Sequence, residues 1–298
     1  MASIAATTAA TSSPIDPAMI KAANAANDAA VVPKIDFDVT QLFAADAAAR
    51  DAAIKSLVDI AEKTGPQALV DLDLAAALIK VLSDKKATPA AKEGAANTVR
   101  ALAKGASSIA VEVIFVESGL INALLENFAD KTPAVRTASV GAIRDVVKSQ
   151  NAWATTLFLG PLLHQIKTAG KWQVKTGSLD ILNQLVKSAA PQTARAMPDI
   201  IPVLTEVIWD TKAEVKKAAR DTLTKATALI SNKDIERFIP ALINALINPV
   251  EEVPKTIQLL SATTFVSEVD AATLSLMVPL LSRGLNEKLT AIKRKVAV

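Results

Sequence analysis

Apolar residues recur along most of this chain at intervals of three and four positions, which is the spacing of one face of an α-helix. One stretch shows the pattern clearly, with apolar residues at Ile201, Leu204, Val207 and Ile208. After a short turn the same spacing returns at Val215, Ala218, Ala219, Leu223 and Ala226. The pattern predicts two amphipathic helices joined by a turn, and alternating patterns typical of strands are scarce elsewhere.

This helix, turn and helix pattern repeats at intervals of 38 to 46 residues. The turns fall at Asp46, Asp84, Asp130, Gly170, Asp210, Asn248 and Asn286. After two of the aspartates, Asp130 and Asp210, an apolar residue follows five positions on and a cation six positions on. This register resembles the HEAT-repeat signature, in which helix pairs stack on copies of themselves.

The turn aspartates have a predicted physical role. An aspartate between two helices can accept backbone N–H groups at the start of the second helix, where its charge also suits the helix dipole. The apolar residue five positions on, such as Val215, is expected in the interhelical core. The cation beside it, such as Lys216, is expected to reach back toward an acid or outward to a partner.

The predicted fold class is all-α, a right-handed α-solenoid of about seven HEAT-like helix pairs. The solenoid is expected over residues 35–298, and residues 1–34, rich in Ala, Thr and Ser, are expected to form a disordered tail. The second helix of the last pair begins at Thr290, and no polar capping helix follows it. We therefore expect the solenoid to be truncated at its C-terminal end and the chain to be the front part of a longer protein.

The composition excludes most classes of catalytic and metal site. The chain has no cysteine and one histidine, His164, among 298 residues, which excludes disulfides, thiolate metal sites and histidine clusters. No Ser-His-Asp set can be assembled around a single histidine with no second candidate ligand. Apolar runs fall well short of the roughly 20 residues that span a bilayer. We predict no metal, no catalytic residue, no membrane contact, a monomer and a cytoplasmic location.

Nucleotide hydrolysis by this chain is not expected either. A phosphate-binding loop needs two glycines five positions apart, followed by Lys and then Ser or Thr. None of the nine glycines has that spacing, and the Gly170-Lys171 pair is followed by Trp172. The sequence therefore predicts no cofactor in this chain and no enzymatic activity.

Several segments between residues 164 and 298 carry a more specific signal. They are Gly170-Lys171-Trp172, Met197-Pro-Asp-Ile-Ile-Pro202, Trp209-Asp-Thr-Lys212, Asn232-Lys-Asp-Ile-Glu-Arg237 and Met277-Val-Pro-Leu-Leu-Ser-Arg283. Together these segments resemble the amino-terminal HEAT domain of the fungal translation elongation factor 3 family. Residues 37–163 are similar to it more loosely, and the first 34 residues carry no recognisable motif.

The resemblance implies a ribosome-associated factor of the ATP-binding-cassette type, in which ATP hydrolysis helps release deacylated tRNA from the ribosomal exit site. In that family the HEAT region helps dock the factor on the ribosome through ribosomal RNA and ribosomal proteins, and other translation elongation factors are further candidate partners. ATP is expected only in the full-length protein, in cassettes that this sequence does not contain. The resemblance thus implies a non-catalytic binding module.

Basic residues near the turns and in the second helices are the candidate contacts. Because the same position recurs in each repeat, these cations are expected to line one edge and the concave face of the solenoid, where they could follow a phosphate backbone. Trp172, at a turn, is a candidate for base stacking. The candidate set is Lys85, Lys86, Lys131, Arg136, Lys171, Trp172, Lys175, Lys212, Lys216, Lys217 and Arg220.

Alternatives stay open at this point. The cations could be solvated or paired within their repeat, with Glu214 and Asp221 as partners, and Trp153, Trp172 and Trp209 could fill gaps between stacked helices. The chain could also be a protein–protein interaction scaffold related to the general-control coactivator, a ribosome-bound factor of the starvation response. Salt-sensitive, RNA-dependent binding would favour docking, and salt-insensitive binding of a peptide would favour the scaffold.

Overall fold

The computed structural model describes residues 35–106, 108–116 and 119–297. Within these ranges the regular elements are α-helices and short 3-10 helices, and no strand is present. The all-α prediction is confirmed for this part of the chain. The predicted tail, residues 1–34, lies outside the described residues. None of the described helices combines the length and the apolar character needed to cross a membrane.

The helices follow one another with short connections. They are α1 (Ala47–Thr64), α2 (Gln67–Asp71), α3 (Leu74–Ser83), α4 (Pro89–Gly105), α5 (Ser108–Val116), α6 (Leu120–Glu126), α7 (Pro133–Ser149), α8 (Thr155–Thr168), α9 (Trp172–Ser188), α10 (Ala190–Arg195), α11 (Met197–Val207), α12 (Ala213–Thr227), α13 (Lys233–Glu236), α14 (Ile239–Ile247), α15 (Pro249–Ser261), α16 (Ala271–Leu285) and α17 (Thr290–Ala297). Single 3-10 turns span Val39–Phe43, Asn127–Ala129 and Ala152–Ala154.

Seven helix pairs can be recognised in the described residues, as the repeat predicts. The pairs are Val39–Phe43 with α1, α3 with α4, α6 with α7, α8 with α9, α11 with α12, α14 with α15, and α16 with α17. The turns within the pairs lie together at one edge, which we call the turn edge. The connections from one pair to the next lie at the other ends of the helices, the opposite edge.

Local sequence sets the helix boundaries. Asp46 caps α1 by accepting the backbone N–H of Ala49 at 2.8 Å, and Asp270 caps α16 by accepting that of Thr273 at 2.8 Å. These bonds satisfy backbone donors that have no partner inside the helix. Pro133 occupies the first turn of α7, where its missing N–H costs no hydrogen bond.

The hydrophobic core is continuous along the stack. Its buried residues fall into two clusters that meet in the fourth pair. Phe158 and Leu162 of α8 belong to the N-terminal cluster, whereas Leu159 and Leu163 belong to the C-terminal cluster. Because one helix packs in both directions, each pair depends on its neighbours to bury its apolar faces.

Ion pairs join consecutive second helices. Arg100 of α4 contacts Asp145 of α7 at 2.7 Å, and Arg144 of α7 contacts Asp180 of α9 at 2.5 Å. These side chains are partly exposed, so each pair adds little to stability. Their repetition fixes how one pair is placed on the next.

Gly94 shows how closely the elements pack, and it gives a first test of the fold. A Cβ atom at Gly94 of α4 would lie 2.2 Å from the backbone oxygen of Leu42. Since a backbone atom cannot move aside cheaply, we expect Gly94→Ala to lower the free energy of unfolding by about 1–3 kcal/mol. Urea denaturation followed by circular dichroism measures this change.

Gly160→Ala is the matched control for that test. Gly160 lies in α8, and a Cβ atom there would have no heavy atom within 4 Å. Alanine has the higher helix propensity, but Pro161 follows, and its ring disfavours helical backbone at a residue with a Cβ atom. The substitution is therefore expected to change stability by less than about 1 kcal/mol. Destabilisation of equal size at both positions would contradict the packing described for Gly94.

Candidate nucleic-acid interface

Aspartates organise three of the turns on the turn edge. Each accepts the backbone N–H of the residue two positions further along, which holds the loop ahead of the second helix. The bonds run from Lys86 to Asp84 (2.8 Å), from Thr132 to Asp130 (2.8 Å) and from Lys212 to Asp210 (2.9 Å). These aspartates accept backbone N–H groups as predicted, but the groups belong to the loop, and α7 and α12 have no side-chain hydrogen bond at their N-caps. Among the turn aspartates, Asp46 makes the predicted bond to the first turn of its second helix. The adjacent lysines lie at the surface.

Two of these aspartates also bind a lysine of the preceding pair. Lys175 Nζ lies 2.7 Å from Asp210 Oδ2, and Lys92 Nζ lies 3.3 Å from Asp130 Oδ2. All four side chains are less than one-fifth exposed. The sequence-predicted contact Lys175 therefore has an intramolecular partner that joins the fourth and fifth pairs.

Arg136 has a local role as well. Its guanidinium donates hydrogen bonds to the backbone oxygens of Asp130 (2.8 Å) and Lys131 (3.0 Å). The cation six positions after the turn aspartate thus reaches back to its own turn, but it binds backbone oxygens and not the acid expected from the sequence. Arg136 supports the turn, and its half-buried side chain leaves less of the guanidinium open to a partner.

Opposing effects set the pKa of these aspartates. Burial raises the pKa of Asp210. Three effects outweigh burial and leave this pKa below the ordinary value: a hydrogen bond from Lys175, a hydrogen bond from the backbone N–H of Lys212, and the charge of Lys175. The pKa of Asp130 is lowered in the same way, against its burial, by the backbone N–H of Thr132 and by Lys92. A lowered carboxyl pKa means that the folded chain binds the proton less tightly than the unfolded chain.

Stability is therefore expected to depend on pH in the acidic range. The contribution of Asp130 and Asp210 is present above the unfolded-state aspartate pKa of about 3.9, and it is lost as pH falls through their lower folded-state values. Urea denaturation at pH 7, 5 and 3 measures this loss. Asp210→Asn should be less stable than the parent at pH 7 by about 1–3 kcal/mol and should lose less on acidification. An equal loss on acidification in both proteins would contradict the assignment.

Seven of the predicted cations form neither an ion pair nor a side-chain hydrogen bond with any residue that the structure describes. They are Lys85, Lys86, Lys131, Lys212, Lys216, Lys217 and Arg220. Six of these side chains are exposed, and Lys216 is half-buried. The alternative partners Glu214 and Asp221 do not take these cations, since Asp221 instead binds Lys225.

Four of the unpaired cations lie close together at the start of α12. Lys212 precedes the helix, and Lys216, Lys217 and Arg220 follow on it at spacings that bring side chains together on one face. Like charges at these spacings repel each other and destabilise an isolated helix. Together with Trp209 in the same turn, these four cations make up what we call the fifth-pair patch.

The three tryptophans are all at the surface. Trp153 is 65% exposed, Trp209 is 50% exposed and Trp172 is 38% exposed. The expectation that tryptophans fill gaps between stacked helices is therefore wrong. Aliphatic residues and the phenylalanines Phe115, Phe128 and Phe158 fill the buried space between the helices.

A groove of about 830 Å³ follows the turn edge at pairs two to four. Lys85, Lys131 and Lys171 line this groove, one from each of three successive turns. We call it the turn groove. It brings together three of the sequence-predicted cations, whereas Lys212, Lys216, Lys217 and Arg220 lie beyond it in the fifth-pair patch.

Sequence reasoning missed three residues of this surface. Lys92 and His164 line the turn groove, and Trp209 is half-exposed in the fifth-pair patch. The position of Trp209 beside a turn aspartate, matching Trp172 beside Lys171, was the signal available for it. Nothing in the sequence marked His164, because its neighbours in the groove come from other repeats.

The described residues include neither a glycine loop that wraps phosphate nor a cluster of metal ligands. A Cβ atom at Gly170 would have open space around it, so this position does not require glycine. In a phosphate-binding loop the glycines are required because the backbone closes around the phosphate. The described residues include no group of three His, Cys, Asp or Glu side chains able to hold a metal ion.

The chain is similar to known translation factors. The profile described as EF3 N-terminal HEAT repeat matches residues 50–223, and the profile described as Elongation factor 3/GNC1 HEAT repeat matches residues 251–298. Elongation factor 3 of Mycosarcoma maydis is 55% identical over 249 residues, covering 84% of this chain and 23% of that protein. Elongation factor 3A of Saccharomyces cerevisiae is 45% identical over 225 residues, covering 74% and 21%. The chain thus spans less than a quarter of the length of these two relatives.

Among solved structures, a designed armadillo repeat protein is 16% identical, with a TM-score of 0.35, over 87% of this chain and 95% of that one.

Proposed function

This chain belongs to the elongation factor 3 N-terminal HEAT-repeat family, and from that membership we propose that it docks a translation elongation factor on the ribosome. The factor would be an ATPase that promotes release of deacylated tRNA from the exit site. The chain itself would act as a non-catalytic, monomeric binding module in the cytoplasm, and it would bind no nucleotide. Its partners would be ribosomal RNA and ribosomal proteins, together with other elongation factors.

The observation that carries this proposal is the set of unpaired cations along the turn edge. Lys175 and Lys92, which join consecutive pairs, are bound to carboxylates. The fifth-pair patch instead keeps four cations without a carboxylate partner among the described residues, at a cost in self-repulsion. A phosphate backbone would supply the missing counter-charge.

A second candidate function is supported by one feature of the opposite edge. There the guanidinium of Arg195 stacks on the exposed ring of Trp153, 5.2 Å from its centroid. Tryptophan and arginine are the side chains most enriched in energetically important protein contacts. An exposed pair of this kind favours a protein partner on that edge. It supports the alternative that the chain is an interaction scaffold related to the general-control coactivator.

Co-sedimentation of this chain with purified fungal ribosomes across a salt series tests the proposal. If all seven unpaired cations contact phosphate, affinity should fall roughly 1,000-fold between about 50 and 200 mM salt. Binding that does not change with salt would instead favour the scaffold. Failure to bind ribosomes at the lowest salt concentration would count against docking by this chain.

A further inference from the structure

The turn groove is an open cleft as well as a basic stripe. Its volume of about 830 Å³ is in the size range of ligand sites, roughly 300–1,000 Å³, and the cleft is open to solvent on one side. The cavity is formed where the last turns of α3, α6 and α8 meet the loops that lead into α4, α7 and α9. Three repeats therefore have to stack before the cavity exists.

The charges inside the turn groove favour an anion. Lys85 and Lys131 are exposed and form no ion pair with a described residue, and Lys171 Nζ donates a hydrogen bond to the backbone oxygen of Ala129 at 3.2 Å. A fourth lysine of the groove, Lys92, is bound to Asp130, so the charges of these two lining residues cancel each other. Only one further carboxylate lines the groove, which leaves the cavity with a net positive charge.

Hydrogen-bonding side chains and an aromatic ring accompany these cations. His164 and Gln165 line the groove on the side of α8, where they can exchange hydrogen bonds with a ligand. Trp172 follows Lys171 directly and lies beside the groove, not in its lining, and the residue is 38% exposed. Grooves that hold single-stranded nucleic acid combine these three features: cations for the phosphates, polar groups, and an aromatic ring on which a base can stack.

We propose that the turn groove binds a short single-stranded segment of RNA, with its phosphates on Lys85, Lys131 and Lys171 and one base stacked on Trp172. The proposal rests on the proposed docking function and names the form of RNA that is recognised. Packed helices lie about 10 Å apart, so a groove past three turns is about 20 Å long. Its volume of about 830 Å³ then corresponds to a mean cross-section of about 40 Å², which admits a single strand but not a double helix. Recognition of RNA commonly targets such unpaired segments, whose bases are free to stack.

Fluorescence anisotropy with a labelled oligouridylate of about twelve nucleotides tests this site. The triple variant Lys85→Gln, Lys131→Gln and Lys171→Gln is expected to bind at least about tenfold more weakly, and the slope of log affinity against log salt should fall by about 2. Trp172→Ala should weaken binding about tenfold, and Trp172→Phe should restore most of the loss, because phenylalanine also stacks. The matched control is Lys63→Gln, Lys148→Gln and Lys187→Gln, which removes the same charge from the opposite edge.

The outcomes separate the possible ligands. Tighter binding of the single strand than of a duplex of the same length supports the groove, since the duplex carries twice the phosphates. Equal or tighter binding of the duplex, equal loss in the two triple variants, or displacement by tripolyphosphate at equal phosphate concentration would each overturn the proposal. The wild type could bind ribosomes while the groove variant binds oligouridylate as tightly as the wild type does. That result would overturn the proposed RNA site in the groove and leave the docking function standing. Absence of both activities in the wild type would overturn the docking function as well.

Discussion

Phe158→Ala is expected to lower the free energy of unfolding by about 3–5 kcal/mol and the Tm by roughly 6–20 °C. Phe158 is fully buried in α8, and its ring packs on that of Phe115 with 5.1 Å between centroids. The cavity would open at the point where the N-terminal and C-terminal clusters of the core meet. A defect there weakens the stacking of the fourth pair on its neighbour, so its effect should extend along the solenoid.

Calorimetry and urea denaturation measure this change, and Trp153→Ala is the control. Trp153 is the larger side chain, but it is mostly exposed, so its removal should cost no more than about 1 kcal/mol, the value of its stacking with Arg195. If Trp153→Ala proves as damaging as Phe158→Ala, the exposed position of Trp153 is wrong. If Phe158→Ala is nearly neutral, the continuous core is wrong.

Reversing three charges of the fifth-pair patch, by Lys212→Glu, Lys217→Glu and Arg220→Glu, is expected to weaken ribosome binding by at least about 100-fold. All three side chains are exposed and unpaired in the described part of the chain, so their replacement leaves the core intact. Each lost contact with a charged group costs about 1–2 kcal/mol, and every 1.4 kcal/mol changes affinity tenfold. The change is measured by titrating ribosomes against the labelled chain at one fixed salt concentration.

The control for this reversal carries the same change in net charge on the opposite edge. It replaces Lys63, Lys148 and Lys187, which lie in the last turns of α1, α7 and α9. We expect the control to bind within a few-fold of the wild type, because the long-range field changes equally and only the local contacts differ. Equal loss in both variants would show that binding depends on net charge and not on the patch.

The helix pairs could be predicted from the sequence because their signal is local. Three- and four-residue spacing marks each helix, and turn residues such as Asp130 and Asp210 mark each turn, without information from distant parts of the chain. The turn aspartates accept backbone N–H groups as expected. The placement of cations beside these turns follows from the same short-range register.

The partners of those cations could not be predicted, because they come from other repeats. Lys175 binds Asp210, 35 residues away, while Lys216 at an equivalent helix position has no carboxylate partner among the described residues. The turn groove could not be predicted for the same reason, since Lys85, Lys131 and Lys171 come from three different turns. The exposure of Trp153 depends on how closely neighbouring pairs approach, and a helical period carries no information on that distance.

The central claim is that the turn edge, and not the opposite edge, faces the ribosome. Site-specific photo-crosslinking tests it directly, with a crosslinking amino acid at Thr211 beside the fifth-pair patch or at Ser188 at the end of α9. Both residues are exposed, so neither substitution disturbs the core. We expect crosslinks to ribosomal RNA or ribosomal proteins from Thr211 and few from Ser188. Crosslinks mainly from Ser188, or equal yields from the two positions, would contradict the claim.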